Sequence, residues 1–140
     1  MRLRKTATPR HPALVLFVFA FGSIVCQAQH MNAADAPCRK PMSGAEETEC
    51  FVAASKLQDK KLNELYQQAL KVVESDDITQ LQKAQRVWLR FRDATCSAEK
   101  ALYQGGSAQP MVYYACLEAE TRYRVKDLED TYEWRIEKFR

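Results

Sequence analysis

Apolar residues recur at intervals of three and four through most of the chain. Leu62, Leu65, Tyr66, Ala69, Leu70 and Val73 share one side of a helical projection, while Lys60, Lys61, Glu64, Gln67, Gln68 and Lys71 fall mainly on the other. Ser43-Gly44-Ala45-Glu46 has the Ser-x-x-Glu form of a capping box, so a first helix is expected to follow it. Ser75-Asp76-Asp77 breaks that run, and Asp77 with Gln80 repeats the capping-box spacing at the start of a second helix. Ile78, Leu81, Ala84, Trp88, Phe91, Thr95 and Leu102 carry this helix with no Gly or Pro before Gly105. Gly105-Gly106-Ser107 then interrupts the chain, in a form suited to a left-handed helix terminus and a tight turn, and Pro110 falls in the first turn of a third helix. Val112, Ala115, Cys116, Ala119, Val125, Leu128, Tyr132, Ile136 and Phe139 mark its inner face. No stretch sustains period-two alternation. The fold class predicted is all-α: a small antiparallel bundle of three long helices, each about 40 Å at about 1.5 Å per residue. The helical domain is expected over residues 46–140, preceded by an irregular arm over 29–45 that contains Pro37 and Pro41.

The first 28 residues follow another pattern. Arg2, Arg4, Lys5 and Arg10 precede an apolar run from Ala13 to Val25 that is short for a bilayer span, and Cys26-Gln27-Ala28 offers small residues at alternate positions. This reads as a secretory signal peptide, residues 1–28, with cleavage after Ala28 or nearer Ala34. The expected location is periplasmic or secreted, with no stable membrane span after cleavage. A lipid anchor on Cys26 is less favoured, because Val25 is bulkier than the residue usually found before such a cysteine. The segment also accounts for the charge. Of 21 Lys and Arg in the whole chain, four lie here with no acid, which leaves 17 bases against 18 acids. A nearly neutral remainder excludes a general electrostatic nucleic-acid binder.

Export leaves four cysteines, Cys38, Cys50, Cys96 and Cys116, without C-x-x-C spacing, so two structural disulfides are expected. If helices two and three fold back at Gly105-Gly106, the position level with Cys96 is about residue 115, which selects Cys96 with Cys116. Cys38 with Cys50 then ties the arm to the first helix. Cys50 lies at the same end of such a bundle, so its pairing with Cys96 or Cys116 stays open as the alternative.

Chemistry is sparse. No nucleophile elbow, phosphate loop or zinc helix occurs, and neither an enzyme nor a cofactor or metal is expected. His30 is the one histidine after the signal, and its irregular spacing to Met31 and Asp35 reads as a solvated tail rather than a metal site. Glu46, Glu47 and Glu49 suit the positive end of the first helix dipole. Lys83, Arg86, Arg90 and Arg92 make the second helix basic. Glu118, Glu120, Asp127, Glu129, Asp130, Glu133 and Glu137 make the third acidic, and pairing between the two is expected. Gln85 and Arg92 fall near the apolar stripe of Trp88 and need partners there, with Asp59, Asn63, Thr121 and Arg124 as candidates.

Asp59-Lys60-Lys61-Leu62-Asn63-Glu64-Leu65-Tyr66, then Leu81 to Trp88 and Phe91 to Cys96, in that order, resemble the LprI-type lysozyme inhibitor N-terminal domain family of exported bacterial proteins. Gly105-Gly106-Ser107, Cys116, Thr121, Arg124 and Leu128 extend the resemblance over about residues 38–133. Its motif positions are Asp59, Leu62, Asn63, Tyr66, Gln85, Trp88, Arg92, Thr121 and Arg124. The resemblance implies a disulfide-bonded helical module of the cell envelope, with lysozyme as the partner it inhibits. The turn of Tyr103, Gly105, Gly106 and Ser107 is the candidate for insertion into a lysozyme cleft, with hydroxyls from Tyr103 and Ser107. The competing reading is a non-inhibitory periplasmic module that binds another envelope protein through a helix face. A murein-binding role through Tyr113 and Tyr114 is a third.

Overall fold

Ser43 and Glu46 satisfy each other's backbone at the first helix start. The Glu46 carboxylate accepts from the Ser43 amide at 2.8 Å, and the Glu46 amide donates to the Ser43 hydroxyl. The bond from the Ser43 amide foremost, and a second from the Ser43 hydroxyl to the same carboxylate, hold the Glu46 carboxyl below its ordinary range. The computed structural model describes residues 30–40 and 43–139, and the segment read as an export signal lies outside the described residues. Helix α1 runs Gly44–Val72, α2 Ser75–Ala101 and α3 Gln109–Lys138, and a single 3-10 turn spans His30–Asn32. No strand occurs among the described residues, so the fold is all-α as expected.

Two punctuation marks work differently from the expectation. Val73 and Glu74 are extended, and α2 begins directly at Ser75 with Glu74 as its cap residue and no side-chain cap. Asp77 therefore lies inside the first turn, where its amide already bonds to the Glu74 carbonyl, and no capping box forms with Gln80. Asp76 and Asp77 still favour the positive helix end. Gly105 has φ +81°, the left-handed conformation expected of it. It stands beyond the helix end, however, because α2 closes at Leu102 in a right-handed conformation and the link runs from Leu102 to Ala108. Pro110 occupies the first turn of α3 as expected.

α3 is the middle element: α1 packs chiefly on it, α2 packs on it more lightly, and α1 and α2 meet little. The core divides into two clusters. At one end Ala36, Cys38, Phe51 and Ala115 are buried, with Met31, Cys50, Met111 and Tyr114 against them. Nearer the other end Leu62, Ala69, Leu81, Val125 and Leu128 are buried beside Tyr66, Leu70, Trp88 and Tyr132. Phe51 and Leu128 are almost completely enclosed, a burial that stabilises by roughly 1.5–3 kcal/mol for each side chain.

Both disulfides follow the hairpin geometry. Cys38 bonds Cys50 and Cys96 bonds Cys116, with Cα separations of 6.0 and 5.4 Å. The alternative pairings through Cys50 are not made.

Candidate functional site

The buried polar network lies where the second-helix pattern placed Gln85 and Arg92. Arg92 donates from one guanidinium nitrogen to Asp59 of α1 at 2.8 Å and to the hydroxyl of Thr121 of α3 at 3.2 Å. It also binds the neighbouring Asp93. Arg124 of α3 donates to the Gln85 side chain at 3.2 Å. Trp88 is flanked by both guanidiniums, their central carbons 5.2 and 5.9 Å from its ring. Thr121 and Gln85 are buried, so these bonds satisfy groups that water does not reach. Leu62 is buried and Tyr66 packs beside it, but Asn63 is exposed and forms no hydrogen bond with this network. One network thus touches all three helices and fixes their mutual register. Its solvent-facing edge is formed by the Asp59 and Asp93 carboxylates, both held by Arg92.

Pairing between a basic α2 and an acidic α3 is not what the helices do. Among the described residues, Lys83, Arg86 and Arg90 form no ion pair. The acids of α3 pair instead with α3 itself, Glu118 with Arg122 and Asp130 with Lys126, or with α1, Glu129 with Lys61 at 2.9 Å. The cause is geometric. Lys83 and Arg90 project from the outer side of α2, while its inner side holds Gln85 and Arg92.

The arm is packed, and His30 is no solvated tail. Its Nδ1–H donates to Glu99 of α2 at 2.7 Å, its backbone amide donates to the same carboxylate, and Nε2 lies 3.6 Å from Glu120 of α3. Met31 packs into the arm-side cluster and Asp35 pairs with Arg122, so His30, Met31 and Asp35 go to three different places and form no metal site. The Cys116 sulfur lies near His30 and Glu99, but it is oxidised in the bridge to Cys96 and supplies no thiolate ligand. Arg122 joins Asp35 to the buried Glu118. Burial alone would lower the Arg122 pKa, and its bonds to Glu118 and Asp35 outweigh that and raise it. The bond from Arg122 in turn holds the Asp35 carboxyl below its ordinary range. Sequence reading missed these partners. A signal existed for Glu99, which continues the inner stripe of Leu81, Gln85, Trp88, Arg92 and Cys96 at steps of three and four. None existed for Asp35, whose partner is 87 residues away.

The Tyr103–Ser107 turn is exposed except for the half-buried Tyr103. Successive backbone bonds hold it: Tyr103 to Lys100, Gln104 to Ala101, Gly106 to Tyr103 and Gln109 to Gly106. A side chain at Gly106 would meet the Tyr103 carbonyl at 3.3 Å. Ser107 borders an open cleft of about 610 Å³ with Gly44, Thr48 and Met111, and the Cys96–Cys116 bridge fixes the hairpin beneath it. Tyr113 and Tyr114 are half-buried and pack edge to face at 5.5 Å, with Lys100 over Tyr113, which accounts for both as packing residues.

The model of the family described as Lysozyme inhibitor LprI matches residues 38–128. The chain belongs to the LprI family. The matched span opens at Cys38 and closes at Leu128, so the LprI domain takes in both disulfides, the Arg92 network and the hairpin turn. An uncharacterized protein of Rhizobium meliloti (strain 1021) is 32% identical over 109 residues, covering 78% of this LprI chain and 70% of that protein. No solved structure matches the chain.

Proposed function

We propose that this protein is an exported inhibitor of lysozyme that acts by direct protein–protein binding and carries out no catalysis of its own. The observation that carries the reading is the LprI family match over residues 38–128, which hold both disulfides. Two disulfides suit an oxidising compartment outside the cytoplasm, and among the described residues no helix is long and apolar enough to cross a membrane. The proposed location is the periplasm or the exterior, reached through the signal peptide of residues 1–28.

A lysozyme cleft works through two carboxylates, so an inhibitor must place hydrogen-bond donors between them on a protruding, rigid segment. The turn of Tyr103, Gly105, Gly106 and Ser107 meets that requirement. It projects at the tip of a cross-linked hairpin, bears two hydroxyls and is held by its own backbone bonds. Net charge contributes no general attraction, since the chain after residue 28 is nearly balanced.

The test is lysis of cell-wall substrate by several lysozyme types with and without the oxidised protein at stoichiometric concentration. Slowed lysis by at least one type is expected, and no slowing of any type overturns the reading. Tyr103→Ala with Ser107→Ala should weaken inhibition while helicity is retained; unchanged inhibition moves the contact away from the turn.

A further inference from the structure

The outer flank of α2 carries a second pattern that the bundle does not use. Ala84, Val87, Phe91, Ala94, Ala98 and Ala101 follow one another at alternating steps of three and four, the seam spacing of a coiled coil, and all six are exposed. Phe91 is 55% and Val87 49% exposed, although each would gain from burial. The light packing of α2 on α3, with little contact to α1, leaves this flank uncovered.

Its shape is specific. Ala84, Val87, Trp88 and Phe91 stand at i, i+3, i+4 and i+7, the four corners of a hole that accepts one knob from a facing helix. They line a dimple of about 520 Å³ with Gln80 and Lys83. A second cleft of about 570 Å³ shares Gln80 and Ala84 with it and reaches across to Trp134 and Arg135 of α3. That second cleft is also lined by the exposed carboxylates Asp77 and Asp127, so the basic trough is the dimple itself, opening along α2 toward Phe91.

The rim selects the occupant. From Lys83 to Arg92 the helix has four bases and no acid. Arg92 is used internally, whereas Lys83 lines the dimple and the exposed Arg90 stands seven residues further along the same flank of the seam; neither has an ion-pair partner among the described residues. A second copy of α2 is a poor complement: laid parallel, each base meets its own counterpart, and laid antiparallel about Phe91, Arg90 of each copy comes level with Arg92 of the other. A lipid surface has no knob for the hole.

We infer that this trough docks an amphipathic helix of another protein, one with apolar residues at heptad spacing and acidic residues along its flanks. The surface lies on the outer side of α2, apart from the Tyr103–Ser107 turn, and does not depend on lysozyme inhibition. Phe91 and Val87 are the apolar anchors, and Lys83 and Arg90 choose the charge of the partner.

The test uses three-heptad synthetic peptides with leucine at the seam positions and either glutamate or lysine on the flanks, titrated into the oxidised protein. Trp88 fluorescence and the helicity gained by the peptide are followed. The glutamate peptide should bind at least tenfold more tightly than the lysine peptide. Phe91→Ala should weaken it about tenfold, and Lys83→Glu with Arg90→Glu should invert the preference. Leu57→Ala, on α1, should change nothing. Because all these positions are exposed, the variants should keep native helicity. Equal binding of both peptides, indifference to Phe91→Ala, a Phe91-dependent dimer by sedimentation, or Phe91-dependent binding to phosphatidylglycerol vesicles would each overturn the inference. Loss of lysozyme inhibition without loss of peptide binding would separate the two surfaces.

Discussion

The two ends of the bundle are held by different means. At the arm end, small and sulfur-bearing residues surround Phe51, both disulfides close, and the hydrogen bond of His30 to Glu99 and the ion pair of Asp35 with Arg122 strap the arm to α2 and α3. Among the described residues no covalent link joins the other end, and larger side chains, Leu62, Leu81, Trp88, Val125 and Leu128, supply the packing. The arm end has too little apolar volume to order an irregular segment by burial alone. Cross-links make up that difference by restricting the unfolded chain. The far end can do without them because it consists of long helices with a continuous apolar stripe, and it is also where the trough along α2 stays open.

Reduction of both bridges is the strongest way to break that comparison. They join residues 12 and 20 apart, and the chain-entropy model gives about 3 kcal/mol for each. Denaturant unfolding should show a loss approaching about 6 kcal/mol. Amide exchange should rise first in the arm and the start of α1, with the Leu128 cluster protected longest; uniform loss would show that the ends are not independent. Leu128→Ala attacks the other end without touching a bridge and should cost about 2–5 kcal/mol in the same measurement. Arg92→Ala should cost about 1–3 kcal/mol, since it leaves the buried Thr121 hydroxyl and the Asp59 carboxylate without their guanidinium partner while Gln85 keeps Arg124, and near-ultraviolet dichroism of Trp88 should change.

The smallest effect belongs to Asp35→Asn, under about 1 kcal/mol for a pair this exposed. Its pH signature sharpens the comparison. The folded-state carboxyl is held below the ordinary 3.8, so the pair stabilises fully above that value and the contribution is lost as pH falls through the lowered one. Acid should therefore loosen the arm in the wild type, and Asp35→Asn should remove that part of the pH dependence, read from arm amide exchange.

Much of this was legible along the chain because it depends on neighbours three and four residues apart. The helices, the Ser43 box, the pairing of Cys96 with Cys116 and the company of Arg92 with Asp59 and Thr121 all follow from helical period and hairpin register. What escaped depends on an irregular segment meeting distant helices. Asp35 against Arg122 has no period to announce it, and the helical stripe of α2 marks Glu99 as inward-facing without naming His30 as its partner. The Asp77 spacing misled because α2 needs no side-chain cap when Glu74 is extended and its carbonyl takes the first amides. The Tyr103–Ser107 turn was visible through its glycines, but glycine spacing reports only backbone shape and leaves the contact it makes to experiment.

The order of the disulfides has a consequence for how the chain matures. Cys38 joins the next cysteine along the chain, Cys50, and Cys96 joins the next after that, Cys116, so the two loops neither cross nor enclose each other. With the proposed signal and its Cys26 removed, an oxidase that joins thiols pairwise in order of emergence would produce the native connectivity directly. The expected outcome is a yield that tracks the supply of oxidant and does not fall when a disulfide isomerase is absent, measured on the oxidised protein recovered from each background.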